Sequence, residues 1–181
     1  MLDLGFSKPL PSGETRLEYK TMRPEVTSAE QNLLNLGIVL PVPATPLANY
    51  VPAVRSGQLL FISGQLAFGL NGQIERTYLG LLGTEVSIEH GQAAARLCAI
   101  QILAQVKSAL GSLDQVRRCV RLTGYVASAP GFTSIPGVIN GASDLMVAVF
   151  GDKGRHVRSA VGAAQLPLNC CVEIEAIFEV E

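Results

Sequence analysis

The fold of this chain depends on residues 158–176, which read Arg-Ser-Ala-Val-Gly-Ala-Ala-Gln-Leu-Pro-Leu-Asn-Cys-Cys-Val-Glu-Ile-Glu-Ala. The sequence alternates with period two on both sides of Pro167, which is the pattern of two half-buried strands. Pro167 has no N–H group to give to a sheet, so the connection between the strands lies around it. We therefore expect a hairpin whose second strand has one apolar face and one face carrying Glu173 and Glu175.

Two charged residues of this hairpin are candidates for chemistry. If the turn is centred between Pro167 and Leu168, Arg158 and Glu173 project from the same face, about 13 Å apart along the strands. A small molecule fits between them, whereas a shift of one residue in register would put them on opposite faces. From the residues alone, a structural salt bridge explains Arg158 more simply, and nothing separates Glu173 from Glu175.

The spacing of this stretch resembles a known family. Arg-Ser-x-Val-x-x-Ala-x-Leu-Pro followed by Val-Glu-Ile-Glu-Ala is similar to the C-terminal signature of the Rid proteins, the reactive intermediate deaminases, also described as YjgF-like or endoribonuclease L-PSP-like. The run Phe61-Ile-Ser-Gly-Gln65 resembles that family's N-terminal strands. The resemblance covers about residues 45–181. It implies an α+β, chorismate-mutase-like sandwich, with a mixed, mostly antiparallel sheet carrying two main helices on one face.

The same resemblance assigns roles to seven residues. Arg158 corresponds to the arginine that anchors the substrate carboxylate, and the family spacing selects Glu173 as the acceptor that orients water toward an electrophilic carbon. The positions that bind substrate are Tyr50, Ser63, Gly64, Asn140 and Ala160. The last of these is commonly Cys in the best-known members, so a thiol contribution is lost here. The alternative explanations are core packing for Tyr50, an ordinary strand glycine for Gly64 and a local helix cap for Asn140.

The activity implied by the resemblance is hydrolysis of reactive enamines or imines, such as 2-aminoacrylate, to 2-oxo acids and ammonia. The family would make the protein a homotrimer with pockets at subunit interfaces, and the reaction needs no metal or organic cofactor because an imine is already electrophilic. A non-catalytic protein that binds small carboxylates such as 2-oxo acids is the alternative. Ribonuclease activity is third, because the chain lacks a basic surface and a histidine pair.

Composition excludes several other classes of protein. The chain has 181 residues, 48% of them hydrophobic, and a formal net charge of -1, so we expect one buried core and no nucleic-acid partner. No apolar run reaches the roughly 20 residues that cross a bilayer, and the N-terminus lacks a secretion signal. We therefore expect a cytoplasmic protein without a membrane partner. Four cysteines and two histidines show no metal-binding spacing, so no metal site is expected.

The order of elements completes the prediction. Residues 1–26 mix Pro, Gly, Ser and charge without periodicity and are expected to form a loose N-terminal extension, followed by a single domain over residues 27–181. A long helix is predicted from about Ser87 to Leu110, and a second helix over 136–150. With the flanking strands, the order is strand, strand, helix, strand, helix, strand, strand.

Overall fold

The computed structural model describes residues 27–43 and 49–181. The N-terminal extension predicted for residues 1–26 lies outside the described residues. The α-helices are α1 (Ala29–Asn35), α2 (Ile88–Leu110) and α3 (Ile135–Phe150). The strands are β1 (Ala53–Ser56), β2 (Leu59–Leu66), β3 (Val116–Ala127), β4 (Val157–Ala163) and β5 (Val172–Val180). The predicted order of strands and helices is confirmed.

The strands form one mixed sheet in the order β1-β2-β5-β3-β4. Every neighbouring pair is antiparallel except β3 and β4, which are parallel. The parallel pair needs a long crossover, which α3 supplies between the end of β3 and the start of β4. Helices α2 and α3 pack against each other, and both lie on one face of the sheet. The predicted α+β class, with two main helices on one face, is confirmed.

The predicted hairpin between β4 and β5 is wrong, because β3 lies between these two strands. The chain leaves β4 through a short 3₁₀ turn, Pro167–Asn169, in which Leu168 and Asn169 have φ angles of 55° and 58°. The backbone N–H of Cys171 then donates to Tyr78 O, and its carbonyl accepts from Ala127 at the end of β3. These bonds lead the chain past the end of β3, so that β5 pairs with the edge of β3 opposite to β4.

The long helix α2 forms as the sequence predicts. The side chain of Ser87 accepts a hydrogen bond from the N–H of His90, and Gly111 ends the helix with φ of 86°. By length and composition alone α2 could span a bilayer, but 56% of its apolar window is buried within the protein. It is therefore the core helix of a globular domain.

The sheet face opposite α2 and α3 is open among the described residues. A row of paired positions crosses all five strands on this face: Val54, Phe61, Ile177, Arg121 and Val157. We call it the open-face row. Val54 and Val157 are 51% and 66% exposed, and Phe61 is 39% exposed. Four of the five side chains are apolar, with Arg121 among them, and exposed apolar side chains grouped in this way are typical of a face that another protein surface covers.

Candidate functional site

Arg158 lies on the edge strand β4 and points toward the helices. Its partner in the register is Leu122, which is fully buried in the core, and paired residues of neighbouring strands share a face. The Nη1 atom donates to Asn140 Oδ1 at 2.9 Å and to Ser143 Oγ at 3.0 Å. Since Asn140 and Ser143 are three residues apart on α3, both side chains reach the guanidinium from one side of that helix.

The remaining donors of Arg158 have no acceptor among the described residues. Both N–H bonds of Nη1 are used by α3, whereas Nε and Nη2 make no hydrogen bond, and no carboxylate forms an ion pair with this guanidinium. A side-on fork of parallel N–H groups therefore remains, which is the geometry that binds a carboxylate bidentately. The contact to Asn140 also means that Asn140 is not acting as a helix cap, because the cap position of α3 is Ser134.

His156 joins this cluster through Ser143. Its Nε2 lies 3.1 Å from Ser143 Oγ, and its Nδ1 lies 2.7 Å from Gly154 O. Burial lowers the pKa of His156, and the positive charge of Arg158 lowers it further, against the opposing effect of the hydrogen bond to Gly154. We call Asn140, Ser143, His156, Arg158 and the neighbouring Ala160 the arginine half-site.

Sequence reasoning missed Ser143 and His156, although the signal was present. His156 precedes Arg158 by two residues, which places both side chains on one face of an extended chain. Ser143 follows Asn140 by three residues, which places both on one face of a helix. Ala160 lies on the same face as Arg158, because it pairs with Gly124, whose α-carbon is covered by Ile139 of α3.

Glu173 lies on the opposite face of the sheet from Arg158. It pairs with Tyr125 of β3, whereas Arg158 and Ala176 both pair with Leu122 on the core side. The prediction that Arg158 and Glu173 share a face, and hence one cleft, is therefore wrong within a single chain. The physical reason is the strand between them. The prediction assumed that β4 and β5 pair directly around the turn, whereas each pairs with β3, and β3 sets the face on which each side chain lies.

The carboxyl group of Glu173 has no hydrogen bond or ion pair in the part of the chain that the structure describes. The residue is only partly exposed, and this burial raises the pKa of Glu173, with a further contribution from the negative charge of Glu175. Glu175 itself accepts a long hydrogen bond from Tyr125 Oη, at 3.4 Å. A carboxyl with a raised pKa and no fixed partner is suited to exchange a proton with a ligand.

Gly64 makes room for this carboxyl group. A β-carbon at position 64 would overlap Oε1 and Cδ of Glu173, so the glutamate side chain lies directly against the backbone of Gly64. The register of β2 shifts here, between Ile62 and Gln65, and the adjacent Ser63 donates its N–H to Pro52 O. We call Ser63, Gly64 and Glu173 the glutamate half-site.

Tyr50 makes no hydrogen bond to either half-site among the described residues. It lies in a bend before β1 and is 55% exposed, so core packing does not explain it. The neighbouring Pro52 bonds to Ser63, which places this segment of chain beside the glutamate half-site. Among the described residues there is no cluster of three or more His, Cys, Asp or Glu side chains that could hold a metal ion.

Comparison with known proteins agrees with this architecture. Residues 30–179 match the family model described as "YjgF/chorismate_mutase-like, putative endoribonuclease". Protein TCP17 of Trypanosoma cruzi is 48% identical over 149 residues, which cover 82% of this chain and 91% of that protein. The crystal structure of Atu1372 from Agrobacterium tumefaciens, a protein of unknown function, has 50% identity and a TM-score of 0.78, with 84% of this chain and 92% of that chain covered. RidA from an Antarctic Psychrobacter has 25% identity and a TM-score of 0.55, with 77% and 94% covered.

The close contact at Gly64 predicts a specific defect. Replacing Gly64 by Ala forces the flexible Glu173 side chain into another rotamer and should lower the free energy of unfolding by up to about 1 kcal/mol, the cost of a displaced rotamer. Gly137 in α3 is the matched control, since a β-carbon there would meet nothing within 4 Å. Gly137→Ala should leave the stability unchanged or raise it by up to about 1 kcal/mol. Urea unfolding followed by circular dichroism measures both, and equal stabilities for the two variants would contradict the contact.

The raised pKa of Glu173 predicts a pH-dependent gain of stability on substitution. The folded protein binds this proton more tightly than the unfolded chain, whose pKa is near the usual 4.5, so Glu173 costs stability once pH rises through its folded pKa. We expect Glu173→Gln to raise the melting temperature at pH 7–8 and to match the wild type below about pH 4. Glu179→Gln, on the same strand and face, controls for the loss of one charge. A constant difference between Glu173→Gln and the wild type at every pH would contradict the assignment.

Proposed function

The chain belongs to the YjgF/chorismate mutase-like family, that of the Rid proteins, and on this premise we propose that it is a deaminase. The reaction is hydrolysis of a reactive enamine or imine of the 2-aminoacrylate type to a 2-oxo acid and ammonia. The observation that carries the proposal is the guanidinium of Arg158, which α3 holds through Nη1 while Nε and Nη2 remain for a ligand. Such a fork selects substrates that bear a carboxylate.

The carboxylate of the substrate would bind side-on to Arg158. Each charge-assisted hydrogen bond of this kind contributes roughly 1.5–3 kcal/mol, so two of them suffice to retain a small metabolite. Binding also places the carbon next to the carboxylate at a fixed distance from the guanidinium. That carbon is the electrophile in an imine, so the site orients the reacting atom without contacting it.

Glu173 would act as the proton acceptor for water. After the enamine has taken up a proton at its terminal carbon, the resulting imine is attacked by water at the carbon beside the carboxylate. Glu173 accepts the proton that water loses and returns it to nitrogen. A raised pKa favours the first of these transfers, because the carboxylate binds the proton from water more tightly than an exposed glutamate would. The C–N bond then breaks as the new hydroxyl group becomes the carbonyl of the 2-oxo acid, so ammonia leaves and the hydroxyl proton passes to solvent, which balances the solvent proton taken up at the terminal carbon.

A complete pocket needs two copies of the chain. Because the arginine and glutamate half-sites lie on opposite faces of one sheet, no single chain brings Arg158 and Glu173 together. We propose a homotrimer in the cytoplasm, in which the arginine half-site of one subunit meets the glutamate half-site of the next. The open-face row supports this assembly, since its exposed apolar side chains would be covered.

Ala160 favours one alternative function. The resemblance places a thiol at this position in well-known relatives, and here a methyl group replaces it, while Arg158 keeps its contacts to Asn140 and Ser143. The chain would then bind 2-oxo acids or related carboxylates without turnover. Calorimetry with pyruvate, together with the assay below, separates the two functions: binding without ammonia release supports the binding protein.

The primary test is ammonia release from freshly generated 2-aminoacrylate. We expect wild-type protein to accelerate it and Arg158→Ala to lose roughly 10²-fold or more in kcat/KM, as two charge-assisted bonds are removed. Arg158→Lys keeps the charge but not the fork and should also be impaired. Arg117→Ala, at an exposed position of β3, is the control and should retain full activity. A wild-type rate no higher than that of Arg158→Ala would refute the deaminase.

The shared pocket predicts complementation between two inactive variants. In a trimer mixed at random from equal amounts of Arg158→Ala and Glu173→Gln chains, about one pocket in four combines an intact Arg158 with an intact Glu173 from the neighbouring subunit. Co-refolding should therefore restore about a quarter of wild-type activity. Co-refolding either variant with the double variant should restore none. Absence of complementation in confirmed mixed trimers would overturn the pocket shared between Arg158 and Glu173.

A further inference from the structure

We propose that His156 is a positioning residue for the carboxylate site, acting on Arg158 through the hydroxyl group of Ser143. This inference rests on the proposed function, since it concerns how Arg158 is prepared for a substrate carboxylate. His156 itself does not reach the fork. Its only described polar partners are Gly154 O and Ser143 Oγ, so its effect must pass through Ser143.

The direction of the hydrogen bonds follows from Gly154. Its carbonyl oxygen can only accept, so the Nδ1 atom of His156, 2.7 Å away, carries a proton. In a neutral imidazole the other nitrogen, Nε2, is then an acceptor. Ser143 consequently donates its hydroxyl proton to Nε2 across 3.1 Å and turns its lone pairs to the guanidinium of Arg158.

This ordered chain fixes which edge of Arg158 is available. With its proton committed to His156, the hydroxyl of Ser143 is an acceptor for Nη1, which donates its second N–H to Asn140. Nε and Nη2 are thereby turned outward as a pair. Without His156 the hydroxyl of Ser143 can rotate, and Asn140, which is exposed, is left as the one fixed contact. The free guanidinium then has more conformational entropy. Because that entropy is lost when a carboxylate binds, the affinity is weaker.

The neutral state of His156 that this scheme requires is consistent with its surroundings. Burial and the charge of Arg158 both lower the pKa of His156, so the ring is neutral at pH 7. Other charged groups on the neighbouring elements are Asp144, Asp152, Lys153 and Arg155. Asp152 pairs with Arg155, and the charge that acts on the imidazole is that of Arg158. A carboxylate bound to Arg158 offsets part of this charge and should therefore raise the pKa of His156.

The test is a double-mutant cycle of pyruvate affinity, measured by calorimetry. We expect His156→Ala and Ser143→Ala each to weaken binding roughly five- to twenty-fold, and the double variant to be little worse than either, because both act on Arg158 by one route. His156→Gln, whose side-chain oxygen can still accept from Ser143, should remain within about threefold of the wild type. His90→Ala, the exposed histidine of α2, is the control and should bind normally.

A second readout separates positioning from a purely structural effect. Proton NMR should show the pKa of His156 rising when pyruvate saturates the wild type, and the Nε–H signal of ligand-free Arg158 should exchange faster with water in His156→Ala than in His90→Ala. Equal pyruvate affinities for wild type, His156→Ala and Ser143→Ala would overturn the role of His156 and leave the proposed function standing. Absence of pyruvate binding by the wild type, together with absence of ammonia release from 2-aminoacrylate, would overturn the proposed function itself, and the positioning role with it.

Discussion

The pairing of β3 with β4 on one side and β5 on the other determines where the functional side chains point. Leu122, at the centre of β3, aligns Arg158 and Ala176 with the buried face. Tyr125, three residues later, aligns Glu173 with the open face. Because side chains in a strand alternate, this single pairing separates the guanidinium from the carboxyl group by the thickness of the sheet. Arg158 cannot move to the other face without breaking the register of β4 with β3, and Glu173 cannot do so without breaking the registers of β5 with β2 and β3.

The sequence was sufficient to predict the local structure of strands and helices, but it was insufficient to predict which strands pair with each other. The alternation of β5 is visible in Val172, Glu173 and Ile174, and the structure buries the first and third of them as predicted. The ends of α2 follow from Ser87 and Gly111, which act within one turn of the chain. By contrast, Pro167 suggested a turn between adjacent strands, and period-two alternation cannot tell a hairpin from a crossover past a third strand.

The candidate site shows the same division. Family spacing was enough to select Arg158, Asn140 and Gly64, and the structure adds a physical reason for two of them: Asn140 holds Nη1, and Gly64 leaves space for the Glu173 carboxyl group. Ser143 and His156 were not selected, because hydroxyl and imidazole side chains are common and their value here depends on α3 lying over β4. The packing of α3 over β4 is what brings Ser143 into hydrogen-bonding distance of both His156 and Arg158.

The two half-sites also differ in how they are stabilised. Arg158 is held by neutral oxygen atoms of α3, so the positive charge is oriented without being neutralised. Glu173 has a raised pKa and lies against backbone at Gly64, so the protein retains a carboxyl group that costs it stability when ionised. Neither arrangement benefits an isolated domain, because an unpaired cation and a desolvated acid are both unfavourable there. In the assembly we propose, a ligand carboxylate would offset the charge of Arg158 and the ligand nitrogen would give the Glu173 carboxyl group a hydrogen-bond partner, so the sheet register that separates the two residues would be matched by a pocket shared between subunits.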